Sequence, residues 1–335
     1  MRAIAKPYLL FVADIDTALD AKTAFGLKDW APQDCLAQYR LRVPPKIDLG
    51  LPDMTPAQAV GAGAKTLVVG IAPVGGRIPE SWVETFAQAL EAGLDLAAGL
   101  HDRLRNNPRL MELATRLGRT LHDVRDPPPS LPVGTGRKRP GKRLLTVGTD
   151  CALGKKYTAL ALCRALHERG VPATFRATGQ TGILIAGAGV PMDAVVADFV
   201  SGAAEMLSPA NDPGHWDVIE GQGAIHHPGY GAVTLGLIYG SQPDALVLCH
   251  DPTRRELDGF PGFPIPPLEQ AMASYVAAAR VTNPAAKFVG VSLNTSALSE
   301  AEAAAALAEA ARRTGLPCGD PMRGGLSAIV DALLA

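Results

Sequence analysis

The chain has few cysteines, and those it has are not arranged as a metal site. The five cysteines are odd in number and widely scattered, at positions 35, 151, 163, 249 and 318. Zinc sites use thiols at short spacings, and disulfide frameworks use an even number of them. The sequence therefore indicates a reducing compartment and argues against a zinc site.

A strong net charge and long apolar runs are also lacking. The formal net charge is -1, which argues against a broad electrostatic grip on nucleic acid. No apolar run is long enough to span a bilayer, and the N-terminus lacks the charged-then-apolar order of a signal peptide. We therefore expect a cytoplasmic protein with no nucleic-acid or membrane partner.

The composition is that of a well-buried α/β protein. Hydrophobic residues make up 47% of the chain, and its 335 residues exceed the usual span of one core, so two domains are expected. Residues 126 to 143 combine proline, glycine and charge, which disfavours both helix and central strand. We predict domains at 1–130 and 143–335 joined by a linker at 131–142, with its basic run as a solvated connector.

The first domain reads as a small Rossmann-like fold. We predict short buried strands at Tyr8 to Val12 and Thr66 to Ile71. The apolar residues have helical spacing at Ser81 to Ala92 and Arg109 to Leu117. The glycine turn at Ala72 to Arg77 follows a strand, where open α/β sheets place ligands. Its Gly75-Gly76 pair lacks the full dinucleotide fingerprint, so NAD binding is disfavoured.

The second domain shows the alternation of a doubly wound parallel sheet. Apolar runs separated by helical segments recur at Leu144 to Val147, Ala173 to Phe175, Val218 to Ile219, Ala245 to Cys249 and Phe288 to Leu293. Such alternation implies a parallel sheet covered on both faces. We predict a P-loop NTPase-like domain.

A glycine-bounded loop follows the first of these runs and precedes an Ala/Leu-rich helix. Such a loop aims main-chain N–H groups and the helix dipole at one anion. The residues predicted to bind a cofactor here are Gly148, Thr149, Asp150, Cys151, Gly154, Lys155, Lys156, Tyr157 and Thr158. Five residues separate the glycines instead of four, and Lys156 replaces the usual magnesium-binding hydroxyl. The alternatives are a plain strand-to-helix turn and, for Cys151, a nucleophilic thiol.

Two further segments carry candidate substrate contacts. The polar loop from Arg176 to Gly182 follows the second strand of this domain, at the sheet edge where ligands bind. It supplies Arg176, Thr178, Gln180 and Thr181, with a simple polar turn as the alternative. Asp193 to Leu207 reads as a helix with Asp198 and Glu205 on one face, either in solvent or facing the site.

Acidic and imidazole groups follow the next strands. Glu220 ends a buried strand before two glycines, where P-loop proteins place a magnesium ligand or a general base. With Asp150 it forms the candidate magnesium pair. His226, His227 and His250 also fall at this edge, and histidine suits proton transfer near neutral pH. The proline-rich segment 258–267 is predicted to be a lid or wall, or an oligomer contact.

Taken together, these motifs make the chain similar to the DgcN-type D-glutamate N-acetyltransferase family, a P-loop family long catalogued as a domain of unknown function. The similarity rests on Gly148 to Lys155, Ala177 to Gly182, Val195 to Phe199, Ser201 to Glu205, Glu220 to Gly223, His227-Pro228, Thr234 to Leu237, Pro243 to His250 and, in the first half, Gly70 to Gly76. The loop also resembles that of dethiobiotin synthetase, a magnesium-ATP enzyme in which threonine follows the lysine.

The resemblance implies acetyl transfer from acetyl-CoA to the amine of a D-amino acid, D-glutamate being the family's substrate. On this reading the coenzyme A phosphates lie on the loop, Glu220 or His227 is the base, and Arg176 and Lys156 meet phosphates or carboxylates. We expect a homo-oligomer acting on a small molecule. The alternatives are an ATP- and magnesium-dependent ligase or kinase on a small carboxylic acid, and a non-enzymatic nucleotide-binding regulator.

Overall fold

The computed structural model describes residues 4–15, 17, 20–41, 46–71 and 76–335, and it divides into two compact units. The first unit ends at Asp126 but also includes Gln180–Pro191, and the second comprises Pro127–Gly179 and Met192–Ala335. The sequence placed Gln180–Pro191 in the second domain, so the structure differs there. The domain limits themselves stay a prediction.

The first unit has a five-stranded parallel sheet within the described ranges, in the order β2-β1-β3-β4-β5. Its strands are β1 (Tyr8–Ala13), β2 (Cys35–Arg40), β3 (Thr66–Val69), β4 (Asp95–Ala98) and β5 (Leu121–Asp123). Its helices include α1 (Lys22–Trp30), α2 (Pro56–Gly61), α3 (Glu80–Ala92) and α4 (Pro108–Leu117). Short 3-10 turns lie at Pro32–Asp34 and Leu104–Asn106.

Local sequence explains where these helices begin and end. Asn107 caps α4 through its side chain, which accepts a hydrogen bond from the Leu110 N–H, and Pro108 fills the first helical position. The helix ends at Gly118 in the left-handed conformation. The parallel sheet and helices of the first unit confirm the predicted Rossmann-like fold. Of the glycine turn predicted at Ala72 to Arg77, residues 72–75 lie outside the described residues.

The second unit has a six-stranded parallel sheet in the order β11-β10-β9-β6-β8-β7. Its strands are β6 (Lys142–Gly148), β7 (Ala173–Arg176), β8 (Trp216–Ile219), β9 (Ala245–His250), β10 (Lys287–Leu293) and β11 (Cys318–Gly319). The helices that follow along the chain are α5 (Lys155–Glu168), α6 (Gln180–Ala186), which belongs to the first unit, α7 (Val200–Leu207), α8 (Gly231–Ser241), α9 (Leu268–Ala279), α10 (Glu300–Thr314) and α11 (Ser327–Leu334). The five predicted strands of the second domain are present.

Helices cover this sheet because alternate strand residues point to opposite faces. Leu144 and Val247, from the central strands, pack on one face with Leu162 of α5 and Ile329 of α11. α8 contacts β6 and lies between α7 and α9. The chain leaves β6 for β7 at one side of the sheet, while β9 lies on the other side of β6. This topological switch point is where open α/β sheets bind ligands.

The basic run that leads into β6 differs from the predicted solvated connector at two residues: Arg139 is partly buried and Arg143 is buried, while Arg137, Lys138 and Lys142 are exposed. Arg143 is fully buried, and its guanidinium donates to main-chain carbonyls of Arg139, Pro140, Gly141, Ser208 and Pro209. A buried cation is tolerated only when its donors are satisfied, and here carbonyl oxygens satisfy them. Arg143 therefore ties the start of β6 to the end of α7.

The predicted helix from Asp193 to Leu207 is wrong over its first half. Two 3-10 turns, Met192–Ala194 and Ala197–Phe199, precede α7, which starts at Val200. Asp198 and Glu205 therefore do not share a helical face. None of the helices in the described ranges is long and apolar enough to cross a membrane.

Candidate active site

The glycine-bounded loop lies at the switch point, between the end of β6 and the start of α5. Gly154 has φ +97° and Ala152 has φ +53°, so two residues of the turn are left-handed. Alternating handedness of this kind turns successive N–H groups toward one side and forms an anion-binding concavity. The N-terminus of α5, a helix of 14 residues, adds its positive dipole end.

The Lys155 side chain lies inside this loop and contacts its main chain. The side chain is buried, and Nζ donates to the Asp150 carbonyl oxygen at 2.7 Å. A Cβ at Gly148 would lie 3.1 Å from Nζ, and one at Gly221 would lie 3.1 Å from Cδ. Glycine at both positions therefore makes room for the lysine. Burial lowers the pKa of Lys155, so an anionic ligand would favour its charged form.

Asp150 organises the front of the loop and is fully buried. Its Oδ1 accepts the Cys151 N–H at 2.6 Å, and its Oδ2 accepts from Arg254 Nη1 at 2.6 Å and from the Asp258 N–H at 2.9 Å. Arg254 also donates to the Cys151 carbonyl at 2.8 Å. Sequence reasoning missed Arg254, although its position four residues after His250, at the carboxyl end of β9, was a usable signal.

Two side chains from neighbouring elements fix the loop at its base. The Tyr275 hydroxyl, on α9, donates to the Gly148 carbonyl at 2.7 Å and accepts the Ile225 N–H at 2.9 Å. Thr149 Oγ1 lies 2.9 Å from His250 Nδ1. Burial lowers the pKa of His250 to about 4, with nearby arginines acting in the same direction. His250 is therefore a neutral side chain that holds the loop in place through Thr149.

Glu220 lies at the end of β8 and is almost fully buried. Its Oε2 accepts N–H groups of Thr178 at 2.9 Å and Gly179 at 3.2 Å, and Thr178 Oγ1 donates to its carbonyl. Burial raises the pKa of Glu220, while the charge of Lys156 acts in the opposite direction. A buried carboxyl group with a raised pKa, beside the lysine that follows the loop, is a candidate for proton transfer.

The two adjacent histidines have different surroundings. His226 Nε2 lies 3.0 Å from Ser274 Oγ on α9. The His227 side chain is buried, and its Nδ1 accepts the N–H groups of Gly229 and Tyr230. Its Nε2 lies 3.9 Å from Asp150 Oδ1. Of the two, His227 therefore lies beside the glycine-bounded loop.

The proline-rich segment forms a wall against this side of the site. Its residue Phe260 lies edge-on to the His227 ring with centroids 4.6 Å apart, while Tyr230 lies against the same ring at 4.7 Å. The Asp258 N–H bond to Asp150 joins the same segment to the loop. Phe263, further along, is half exposed. The segment is thus a covering element of the loop.

Several other predicted residues have structural partners. Arg176 donates to the buried carboxylate of Asp217 at 2.8 Å. The Thr158 hydroxyl lies 2.8 Å from Ser292 Oγ inside the core. Glu205 accepts the N–H groups of Thr135 and Gly136, so it holds the linker.

The remaining predicted contacts are divided between the two units. Thr178 lies beside Glu220, where Gln222 Nε2 also donates to its hydroxyl at 3.1 Å. Gln180 and Thr181 belong to the first unit, in which Thr181 Oγ1 lies 3.0 Å from Thr23 Oγ1. Asp198 is exposed to solvent in its 3-10 turn.

Within the described residues, one group has the donor set of a metal site: Asp150, Cys151 and His227, with ligand atoms within 4.8 Å of one another. Asp150 already receives Arg254 and two main-chain donors, and burial raises the pKa of the Cys151 thiol. A raised pKa also argues against Cys151 as a nucleophile. The residues around the loop therefore favour an anion over a cation.

The chain is similar to known proteins over its whole length. The family model described as "Domain of unknown function (DUF1611_C) P-loop domain" matches residues 132–330, and the corresponding Rossmann-like N-terminal model matches 41–127.

Two curated relatives are named D-glutamate N-acetyltransferase. The protein from Tritonibacter scottomollicae is 51% identical over 334 residues, covering 99% of each chain. The protein from a Pseudoalteromonas species is 43% identical over 330 residues, covering 98% of this chain and 99% of its own. A solved DUF1611 family protein from Anabaena variabilis ATCC 29413 is 37% identical, with a TM-score of 0.88 over 98% of this chain and 99% of its own.

Proposed function

This chain belongs to the DUF1611 family, and we propose that it is an N-acetyltransferase that moves acetyl from acetyl-CoA to the amine of D-glutamate. The observation that carries this proposal is the identity of 51% and 43%, over the full chain, to two proteins named for that reaction. The matches cover 98–99% of the chain, so both units have a counterpart in those relatives. The site geometry supports the same reaction, as follows.

The glycine-bounded loop from Gly148 to Lys155, from here on called the phosphate loop, is the proposed binding site of coenzyme A. The 3′-phospho-ADP end of that molecule carries several negative charges, and the loop offers main-chain N–H groups, the N-terminus of α5 and Lys155. A phosphate oxygen is a stronger partner for the Lys155 ammonium than the carbonyl it contacts in this structure. Lys156, at the next position, adds a second cation for phosphate or substrate carboxylate.

A magnesium ion does not fit this loop. The position that supplies its hydroxyl ligand in P-loop enzymes holds Lys156. Of the two carboxylates in the candidate pair, Asp150 is bound by Arg254 and Glu220 by two main-chain N–H groups. These residues therefore do not fit a magnesium ion, which argues against the ligase or kinase alternative.

Glu220 is the proposed general base. The substrate ammonium gives a proton to its carboxylate, and the free amine then forms a bond to the thioester carbonyl carbon. The resulting oxyanion needs hydrogen-bond donors. When it collapses, the carbon–sulfur bond breaks, coenzyme A leaves as a thiolate that takes up a proton, and N-acetyl-D-glutamate remains. The raised pKa of Glu220 matches the carboxylate to this transfer.

The test is a thiol-release assay with purified protein, acetyl-CoA and a panel of D- and L-amino acids, run with and without a chelator. We expect stoichiometric thiol and N-acetyl-D-glutamate, insensitivity to the chelator and little turnover of L-glutamate. ATP-dependent ADP formation with a carboxylic acid would instead establish the ligase or kinase. Nucleotide binding without turnover of any amine would establish the regulator.

A further inference from the structure

The hydrogen bonds of His227 assign its tautomer. The N–H groups of Gly229 and Tyr230 point at His227 Nδ1, at 3.1 and 3.2 Å. A main-chain N–H can only donate, so Nδ1 accepts and carries no proton. The proton of the neutral ring is then on Nε2. Protonating Nδ1 would break both hydrogen bonds from the main chain, so the local fold favours this tautomer.

The Nε2–H group is a buried donor without an acceptor. His227 is 2% exposed, and Nε2 has no hydrogen-bond partner anywhere in the described ranges of the chain. Asp150 Oδ1, at 3.9 Å, is beyond hydrogen-bond distance. An unsatisfied buried donor is costly, so an acceptor for it is expected. The donor lies at the front of the phosphate loop, beside Asp150 and Cys151.

The same tautomer excludes two other roles for His227. A general base needs a lone pair to accept the proton, and a metal ligand needs one to donate to the metal. Nε2 offers neither, because it carries the proton. The aromatic rings of Tyr230 and Phe260 both pack against the imidazole, which restricts its orientation. What remains is a fixed hydrogen-bond donor.

We propose that the Nε2–H of His227 donates a hydrogen bond to an oxygen atom of the acyl donor bound in the phosphate loop. The inference rests on the proposed function for the identity of that ligand. Two kinds of oxygen in that ligand can accept this hydrogen bond. One is the thioester carbonyl oxygen, which becomes the oxyanion, and the other is a phosphate oxygen. Donation to the first would stabilise the transition state, and donation to the second would hold the cofactor.

Two substitutions separate a donor from a base. His227→Asn keeps a carbonyl oxygen near the Nδ1 position for the two N–H groups but has no donor near Nε2. His227→Gln extends an amide N–H to that position but cannot act as a base. We expect the Asn variant to lose about tenfold or more in kcat/KM, and the Gln variant to retain most of it. Equal losses in both variants, in proteins that melt as the wild type does, would overturn the donor role.

Measuring both kcat and the Kd for coenzyme A in the Asn variant identifies which oxygen accepts the hydrogen bond. If the partner is the thioester carbonyl, the Asn variant loses kcat while its calorimetric Kd for coenzyme A is unchanged. If the partner is a phosphate, its Kd for coenzyme A and for adenosine 3′,5′-bisphosphate rises by a similar factor. Loss of neither quantity would contradict the proposal.

A spectroscopic measurement tests the tautomer without any variant. Nitrogen-15 NMR of the wild-type imidazoles should show His227 protonated at Nε2 alone, with the Nε2 proton moving downfield on addition of coenzyme A. A proton on Nδ1 would overturn the inference. This readout does not depend on turnover, so a protein that binds coenzyme A but acetylates no D-glutamate would refute the proposed function and leave the inference standing.

Discussion

Arg254 donates to Asp150 Oδ2 at 2.6 Å, and the carboxylate that receives this bond is fully buried. The pair joins two loops at the carboxyl edge of the sheet, because Asp150 follows β6 and Arg254 follows the neighbouring strand β9. Arg254 also donates to the Cys151 carbonyl. The shape of the phosphate loop therefore depends on an ion pair whose partners are far apart in sequence.

Replacing Arg254 with methionine should destabilise the protein by about 3–5 kcal/mol, because it leaves the buried Asp150 carboxylate without its counter-charge. Urea unfolding measures the change. Arg255→Met is the matched control, since that side chain is exposed and its loss should shift stability by no more than about 0.5 kcal/mol. Adding Asp150→Asn to Arg254→Met should recover part of the loss, and an additive double variant would show that the pair is not coupled.

Lys155→Ala should weaken coenzyme A binding about 30-fold, the effect of losing about 2 kcal/mol of charge-assisted hydrogen bonding. Titration calorimetry with coenzyme A gives the Kd. The exposed Lys287, at the start of β10, provides the control, and Lys287→Ala should bind as the wild type does. An unchanged Kd in Lys155→Ala would place the cofactor phosphates elsewhere.

Glu220→Gln should lower kcat by about 10²- to 10⁴-fold, the usual contribution of a positioned base. In the wild type the rate should rise with pH through the raised pKa of Glu220, above its ordinary 4.5, and the variant should lose this limb. Because the pKa of Glu220 is raised in the folded state, this residue contributes stability below its unfolded pKa. That contribution is lost as the pH rises through its folded-state pKa. The Gln variant should therefore be no less stable than the wild type at pH 7. A variant that keeps its activity would remove Glu220 from the mechanism.

His250 should make the protein less stable in acid. Its pKa is lowered from 6.5 to about 4, so its stabilising contribution is present above pH 6.5 and is lost as the pH falls toward 4. His250→Asn keeps a polar atom near Thr149 but cannot take up the proton. Urea midpoints across this window should fall less steeply in the variant, and parallel curves would show that His250 does not carry the effect.

The sequence predicted the parts of the site that depend on local pattern. Gly148, Gly154 and Lys155 stand between an apolar strand and a helix former, an order that specifies the loop without tertiary information. Glu220 was predicted as a site residue because it follows a buried strand, and its role stays a prediction. The Rossmann-like and P-loop folds followed from the alternation of apolar runs with helical periods, and both are confirmed.

What the sequence could not predict depends on contacts between distant residues. Arg254 meets Asp150 across 104 positions, and Glu205 meets Thr135 across 70. The direction of the His227 proton depends on two main-chain N–H groups whose orientation is a property of the folded turn. Asp198 was misplaced because a run with helical periodicity forms 3-10 turns before Val200, where α7 begins.

A crystal structure of the protein grown with coenzyme A shows whether the loop from Gly148 to Lys155 holds the coenzyme A phosphates, as we propose. We expect a coenzyme A phosphate against the N-terminus of α5, in contact with Lys155, and the thioester end of the cofactor directed toward Glu220. Coenzyme A bound elsewhere, with this loop unchanged, would contradict the proposal.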